Sequence, residues 1–254
     1  MEQKINLVRK RNSIMEKIGI IGAGSWGTAL SLALANNGHS VLIWSIVEAE
    51  IDMLKKNHEH LDKLPGVKLP DTVDFTTDIE KTITESDMLV LAVPSVFTRS
   101  TAQKMSPYVK DGQIIVCVAK GIEDDTLMTI SDVVEQEIPK ADVAVLCGPS
   151  HAEEVGIALP TTLVAGAHTK ATAEHIQEVF MSQVLRVYTS PDMLGMELGG
   201  SLKNVIALAA GMADGLGYGD NTKAALITRG IAEISRLAIA MGAAPETQIG
   251  RAHV

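Results

Sequence analysis

Short apolar runs separated by polar breaks dominate most of the chain, and a longer helical period then replaces them. Lys17–Ile21 is a compact apolar run, residues 28–37 are rich in Ala and Leu, Gly38 closes that segment, and Ser40–Trp44 is a second β-rich run. Residues 87–93, 113–119 and Asp142–Cys147 are continuous apolar stretches without alternation. That is the pattern of parallel strands covered on both faces. Residues 161–165 and 184–189 read as two more strands. At Ser190-Pro191 the pattern changes, since serine then proline suits an N-cap and first helical position, and no strand signal follows. Asn221 caps a second helix, in which Leu226, Ile227, Ile231, Ile234, Leu237, Ala238 and Met241 recur at helical steps until Gly242. Residues 214–221 between these helices form a glycine loop.

The first βαβ unit carries a fingerprint, Gly22-Ala23-Gly24-Ser25-Trp26-Gly27, between a strand and a helix. In that context the glycines permit a tight turn and close backbone approach, and the helix N-terminus offers free N–H groups to a pyrophosphate. The chain is therefore expected to be α/β, with a doubly wound, mainly parallel Rossmann sheet over residues 15–190 that binds a dinucleotide. The start of an all-helical domain follows over residues 191–248. In such a sheet ligands bind beyond the carboxyl ends of the strands. The exits Pro94-Ser95, Lys120-Gly121 and Gly148-Pro149-Ser150 should thus converge with the glycine turn on one cleft.

Composition narrows the function. A chain of 254 residues can bury a large core, and a formal charge of −9 without a basic stripe argues against nucleic acid. No apolar run reaches the roughly 18 residues of a membrane span. Cys117 and Cys147 sit in apolar strand-like runs, which suits buried, reduced thiols and a cytoplasmic location. His58 and His60 lack a matching ligand cluster, so no metal is expected. His151 borders a motif but reads as a structural hydrogen-bonding group, and Arg229 as an internal ion-pair partner. Residues 1–14 are polar and basic without an apolar centre, hence a disordered or non-native leader, and Met15 is an alternative start. Ile249-Gly250-Arg251-Ala252-His253-Val254 breaks the preceding pattern and matches a reading frame of a common sequencing adapter. Residues 249–254 are therefore expected to be an artefact after a cut near Gln248.

Residues 197–211 place Lys203 and Asn204 side by side on a helix of otherwise apolar and small residues. Burial of a lysine stem there is explained if its ammonium faces a polar cleft. Hydride transfer to a ketone leaves an alkoxide that needs a proton, and an amine supplies it where desolvation and a nearby cation make its neutral form accessible. Lys120, reaching the cleft from the sheet side, is the candidate for that cation, and Ser150 is a short donor for substrate oxygens.

Taken together, the turn and helix at 22–30, Val93-Pro94-Ser95, Lys120-Gly121-Ile122-Glu123, Gly148-Pro149-Ser150-His151-Ala152-Glu153 and residues 197–204 resemble the bacterial NAD(P)-dependent glycerol-3-phosphate dehydrogenases over residues 17–247. The resemblance implies reversible reduction of dihydroxyacetone phosphate to sn-glycerol 3-phosphate for phospholipid synthesis, and admits a homodimer. It implies that Ser25, Trp26 and Ala152 contact the cofactor beside Gly22, Gly24 and Gly27. It also implies that Lys120, Gly148, Ser150 and Lys203 hold substrate, with Lys120 near the cofactor too, and that Lys203 is the catalytic proton acceptor in oxidation.

Two departures from the family pattern matter. Past Pro245-Glu246-Thr247 the family continues into a glycine-rich segment with an aspartate and then a Ser-Arg-Asn element, absent here, so the polypeptide as written is expected to show little activity. At the end of the second strand, Ser45, Ile46 and Val47 offer no base for a 2′-phosphate while Glu48 and Glu50 add negative charge, so NAD(H) is expected over NADP(H). The alternatives are a hydroxyisobutyrate or 6-phosphogluconate dehydrogenase relative, and a non-catalytic dinucleotide-binding module.

Overall fold

The computed structural model describes residues 15–245 and 247. The leader expected at 1–14, the cut near Gln248 and the artefact expected at 249–254 lie outside the described residues. One eight-stranded sheet organises the chain, in the order β3-β2-β1-β4-β5-β6-β7-β8. Its strands are β1 (Lys17–Ile21), β2 (Ser40–Trp44), β3 (Val73–Thr76), β4 (Met88–Leu91), β5 (Ile114–Cys117), β6 (Asp142–Cys147), β7 (Thr161–Ala167) and β8 (Leu185–Ser190). All neighbours pair in parallel except β6 and β7, which are antiparallel. The apolar runs are continuous because both faces are covered. Ile18, Ile20, Val90 and Val116 belong to one core cluster, while Leu89, Leu91, Ile115 and Cys117 belong to the other.

The helices of the sheet region are α1 (Ser25–Asn36), α2 (Glu48–Asn57), α3 (Ile79–Thr84), α4 (Thr98–Met105), α5 (Ile130–Glu137), α6 (Ala152–Gly156) and α7 (Lys170–Phe180). Side-chain acceptors fix several starts. Asp78 caps α3, Thr129 and Asp132 form a capping box on α5, and Thr169 caps α7. Two long helices follow, α8 (Met193–Gly215) and α9 (Asp220–Ala240). They cross closely at Gly230, where a Cβ would lie 2.6 Å from Ile206 Cδ1.

Some boundaries differ from the sequence-based expectation. Strand β3 was not anticipated, because its four residues alternate buried and exposed at the sheet edge rather than forming an apolar run. Ser190 ends β8, and the cap of α8 is Asp192, whose Oδ1 accepts from the Gly195 N–H at 2.9 Å. Its other oxygen accepts from the Ala244 N–H at 2.9 Å, tying the exit of α9 to the entry of α8. Helix α9 starts at Asp220 with Gly219 as its N-cap, two residues ahead of the expected Asn221 cap. Among the described residues no strand follows Ser190, and no helix is long and apolar enough to cross a membrane.

Candidate active site

The turn after β1 and the exits of β4, β5 and β6 meet at one cleft of about 700 Å³. It opens where β1 lies between β2 and β4, the switch point at which open parallel sheets take ligands. At Gly27 a Cβ would sit 2.2 Å from the Gly22 carbonyl oxygen, so α1 can start only against bare backbone. Gly24 is the N-cap of α1, and the space where its side chain would stand is open. No side chain caps that helix and its first turn holds no acid, which leaves its N–H groups and the positive end of its dipole for an anion. These features fit the pyrophosphate of a dinucleotide. Gly22, Gly24, Ser25 and Trp26 line the cleft, and Gly27 is buried beneath them. The indole of Trp26 packs on a small cluster that includes Ala29, Leu64 and Ala152. Ala152, at the start of α6, belongs to that same cluster.

The tip of β2 holds a compact polar cluster. Ser45 Oγ donates to Glu50 Oε2 at 2.7 Å and accepts from the Val47 N–H at 3.1 Å. Lys63 Nζ pairs with Glu50 Oε1. Burial alone would raise the Glu50 carboxyl, but hydrogen bonds from Lys63 and Ser45 outweigh it and hold the pKa below its ordinary value. His60 is buried beside the pair. Its Nδ1 accepts from the Lys63 N–H at 3.2 Å, which puts the ring proton on Nε2, 3.9 Å from Glu50 Oε1. Burial and then the Lys63 charge push the His60 pKa down. Lys63 escaped the sequence analysis because it lies in a polar loop with no motif. Lys55 and Lys56 lie exposed on α2.

At the opposite end, Lys120 follows β5 and its Nζ donates to Ser150 Oγ, which joins two residues expected to share a substrate. Gly148 makes the turn that delivers Ser150. Its φ is +156°, and a Cβ there would lie 2.7 Å from the Thr162 carbonyl oxygen. Lys104 of α4 also lines the cleft, a further cation that no motif marks in the sequence. The loop after Lys120 is fastened by Arg99, which donates from Nε and Nη2 to the two Glu123 oxygens at 2.8 and 2.6 Å and pairs with Glu137. That fork holds the Glu123 pKa at about 2.

Helix α8 docks against this loop. Ser201 Oγ accepts from the Gly121 N–H at 2.9 Å, and Gly200 sits where a Cβ would be 3.8 Å from Lys120 Cγ. One turn earlier, Glu197 accepts from Ser131 at the start of α5. Neither Glu197 nor Ser201 was selected from the sequence as a contact, since their partners are 66 and 80 residues away. Lys203 lies just past this contact and is exposed, its Nζ donating to Asn204 Oδ1 at 3.1 Å. The expected burial of its stem is not found. Beyond Ser201 the helix leaves the sheet, and Val205, Leu208 and Met212 are likewise exposed. Among the described residues no group of three His, Cys, Asp or Glu is arranged to hold a metal.

Comparison with known proteins agrees along the whole fold. The pattern described as NAD-dependent glycerol-3-phosphate dehydrogenase N-terminus matches residues 17–173, and its C-terminus counterpart matches residues 192–254. The glycerol-3-phosphate dehydrogenase [NAD(P)+] of Agathobacter rectalis is 80% identical over 236 residues, covering 93% of this chain and 70% of that protein. That of Fusobacterium nucleatum is 53% identical over 238 residues, covering 93% and 71%. The crystal structure of glycerol-3-phosphate dehydrogenase from Coxiella burnetii superposes with a TM-score of 0.89 at 35% identity, covering 94% of this chain and 73% of that one.

Proposed function

The chain belongs to the NAD-dependent glycerol-3-phosphate dehydrogenase family, and on that premise we propose that it reduces dihydroxyacetone phosphate reversibly to sn-glycerol 3-phosphate with NADH or NADPH. The product is the phosphate-bearing backbone of phospholipids. The observation that carries this reading is the Lys120–Ser150 contact in the same cleft as the open N-terminus of α1. It sets a cation and a hydroxyl, suited to a phosphorylated hydroxyketone, at one end of a dinucleotide groove.

Gly22, Gly24, Ser25 and Trp26 hold the cofactor through backbone and α1, Gly27 lets the helix approach, and Ala152, in the apolar cluster against which Trp26 packs, lines the cofactor site. Lys120, Ser150 and the backbone at Gly148 bind substrate oxygens, with Lys120 also near the cofactor. When bound in this cleft, a reduced nicotinamide would supply the hydride for the carbonyl carbon. Lys203 Nζ gives its proton to the resulting alkoxide oxygen, and in oxidation it takes the hydroxyl proton. Its place one turn beyond the α8 contact with Lys120 supports that role. NADH is the favoured cofactor, because Ser45, Ile46 and Val47 bring no base to the β2 tip. No step requires a metal. The division into a dinucleotide-binding unit at 15–190 and a helical unit from 191, a cytoplasmic location and a homodimer complete the reading. Supports are the change at Ser190, the buried Cys117 and Cys147 thiols, and the exposed apolar residues of α8 and α9.

The test is a substrate panel. Residues 15–247, joined to the segment by which the Agathobacter rectalis relative extends beyond the match, should oxidise NADH with dihydroxyacetone phosphate and yield the sn-3 enantiomer. Turnover of 3-hydroxyisobutyrate or 6-phosphogluconate in its place would move the chain to another reductase class.

A further inference from the structure

We propose that Glu50 and Lys63 together decide whether the cleft accepts a ribose 2′-hydroxyl or a 2′-phosphate. The inference rests on the dinucleotide reading of the cleft and adds the residues that set its cofactor choice. Both side chains line the cleft at the carboxyl end of β2, where the ribose of a dinucleotide lies in this topology. A carboxylate there accepts hydrogen bonds from ribose hydroxyls and repels a phosphate, whereas an ammonium attracts the phosphate. Here the two are paired with each other, and Ser45 Oγ holds the second Glu50 oxygen at 2.7 Å. The lysine is therefore not surplus. A 2′-phosphate, with nearly two negative charges, has to draw Lys63 away from Glu50 and then lie beside the carboxylate left behind. A 2′-hydroxyl demands no such exchange and can donate to Glu50 with the ion pair intact.

The surroundings sharpen the choice. Among the described residues that line the cleft, Glu50 is the one acid, and the cations besides Lys63 are Lys104 on α4 and Lys120 after β5. His60 is 1% exposed and its Nε2 has no hydrogen-bond partner. That nitrogen lies 3.9 Å from Glu50 Oε1, close enough to move onto it when Lys63 departs. The exchange is thus disfavoured by the carboxylate but not blocked, so NADPH binds more weakly than NADH rather than not at all. Removing the carboxylate should free Lys63 for the phosphate, and removing the lysine should leave the carboxylate unopposed. The two single substitutions must move cofactor preference in opposite directions.

Calorimetric titration of the 254-residue chain with NADH and with NADPH tests this, in the parent, Glu50→Gln and Lys63→Met. Lys63 is 47% exposed and Glu50 reaches the surface, so neither change disturbs the core. In Glu50→Gln the ratio of NADPH to NADH dissociation constants should fall by about tenfold, the scale of one charge-assisted contact. In Lys63→Met the ratio should rise. Both ratios staying within about twofold of the parent, or moving the same way, would overturn the inference while leaving the dinucleotide site in place. A parent chain that binds neither nucleotide would overturn the dinucleotide reading, and the inference with it.

Discussion

Glu197 on α8 accepts hydrogen bonds from both the backbone N–H, at 3.0 Å, and the hydroxyl of Ser131 at the first turn of α5. Glu197 is 5% exposed, so one buried side chain fastens the helix bearing Lys203 to the sheet. Burial raises its pKa from 4.5, and the bonds from Ser131 only partly oppose that shift. A carboxyl raised on folding stabilises the fold while protonated, and that increment is lost as pH rises from 4.5 through the folded value. Glu197→Gln cannot ionise, so its stability deficit against the parent should be largest near pH 4 and shrink by about pH 8. Glu197→Ala, which leaves the Ser131 donors unsatisfied, should cost about 2–3 kcal/mol. Urea denaturation at both pH values checks this, and an equal Glu197→Gln deficit at the two would contradict it.

Gly148→Ala should destabilise the fold and disturb the placement of Ser150. The backbone is at φ +156° and the added methyl would meet the Thr162 carbonyl oxygen at 2.7 Å. Strain of this kind costs about 1–3 kcal/mol. Thermal unfolding measures it, and a variant as stable as the parent would show that the turn tolerates a side chain.

Glu123 should remain ionised far into acid. The Arg99 guanidinium, donating to both oxygens, lowers its pKa to about 2. The contribution of this pair to the loop after Lys120 is therefore present above the ordinary carboxyl pKa of 4.5 and lost as pH falls through about 2. Carboxyl NMR of Glu123 should show no titration above about pH 3, and Arg99→Gln should return the midpoint toward the ordinary range. A midpoint near that range in the parent would contradict the fork.

Local signals carried much of this account, and long-range ones did not. β1, β2 and β6 were readable to the residue because each is an unbroken apolar run bounded by glycine or polar residues. β3 was hidden because Asp74 interrupts a short edge strand. The α8 boundary slipped because Ser190-Pro191 is a plausible helix start, yet Asp192 offers two oxygens to two different backbone donors. In the cleft, Gly22, Lys120 and Ser150 were legible within compact motifs. Glu197, Ser201 and Lys63 act through partners supplied only by the fold, and no spacing rule in the sequence pairs them. The exposure of Lys203 was equally unreadable, since an apolar helical neighbourhood in sequence does not say which face is covered.

In the proposed function Lys203 moves the proton in dihydroxyacetone phosphate reduction. The most direct measurement of that step is steady-state kinetics of Lys203→Ala, in the polypeptide carrying the extra segment of the Agathobacter rectalis relative, alongside NADH binding. The expected kcat is lower by about two to four orders of magnitude, as for loss of a general acid–base group, with NADH affinity nearly unchanged. A kcat close to that of the parent would contradict it and return Lys203 to an ordinary solvated helix position.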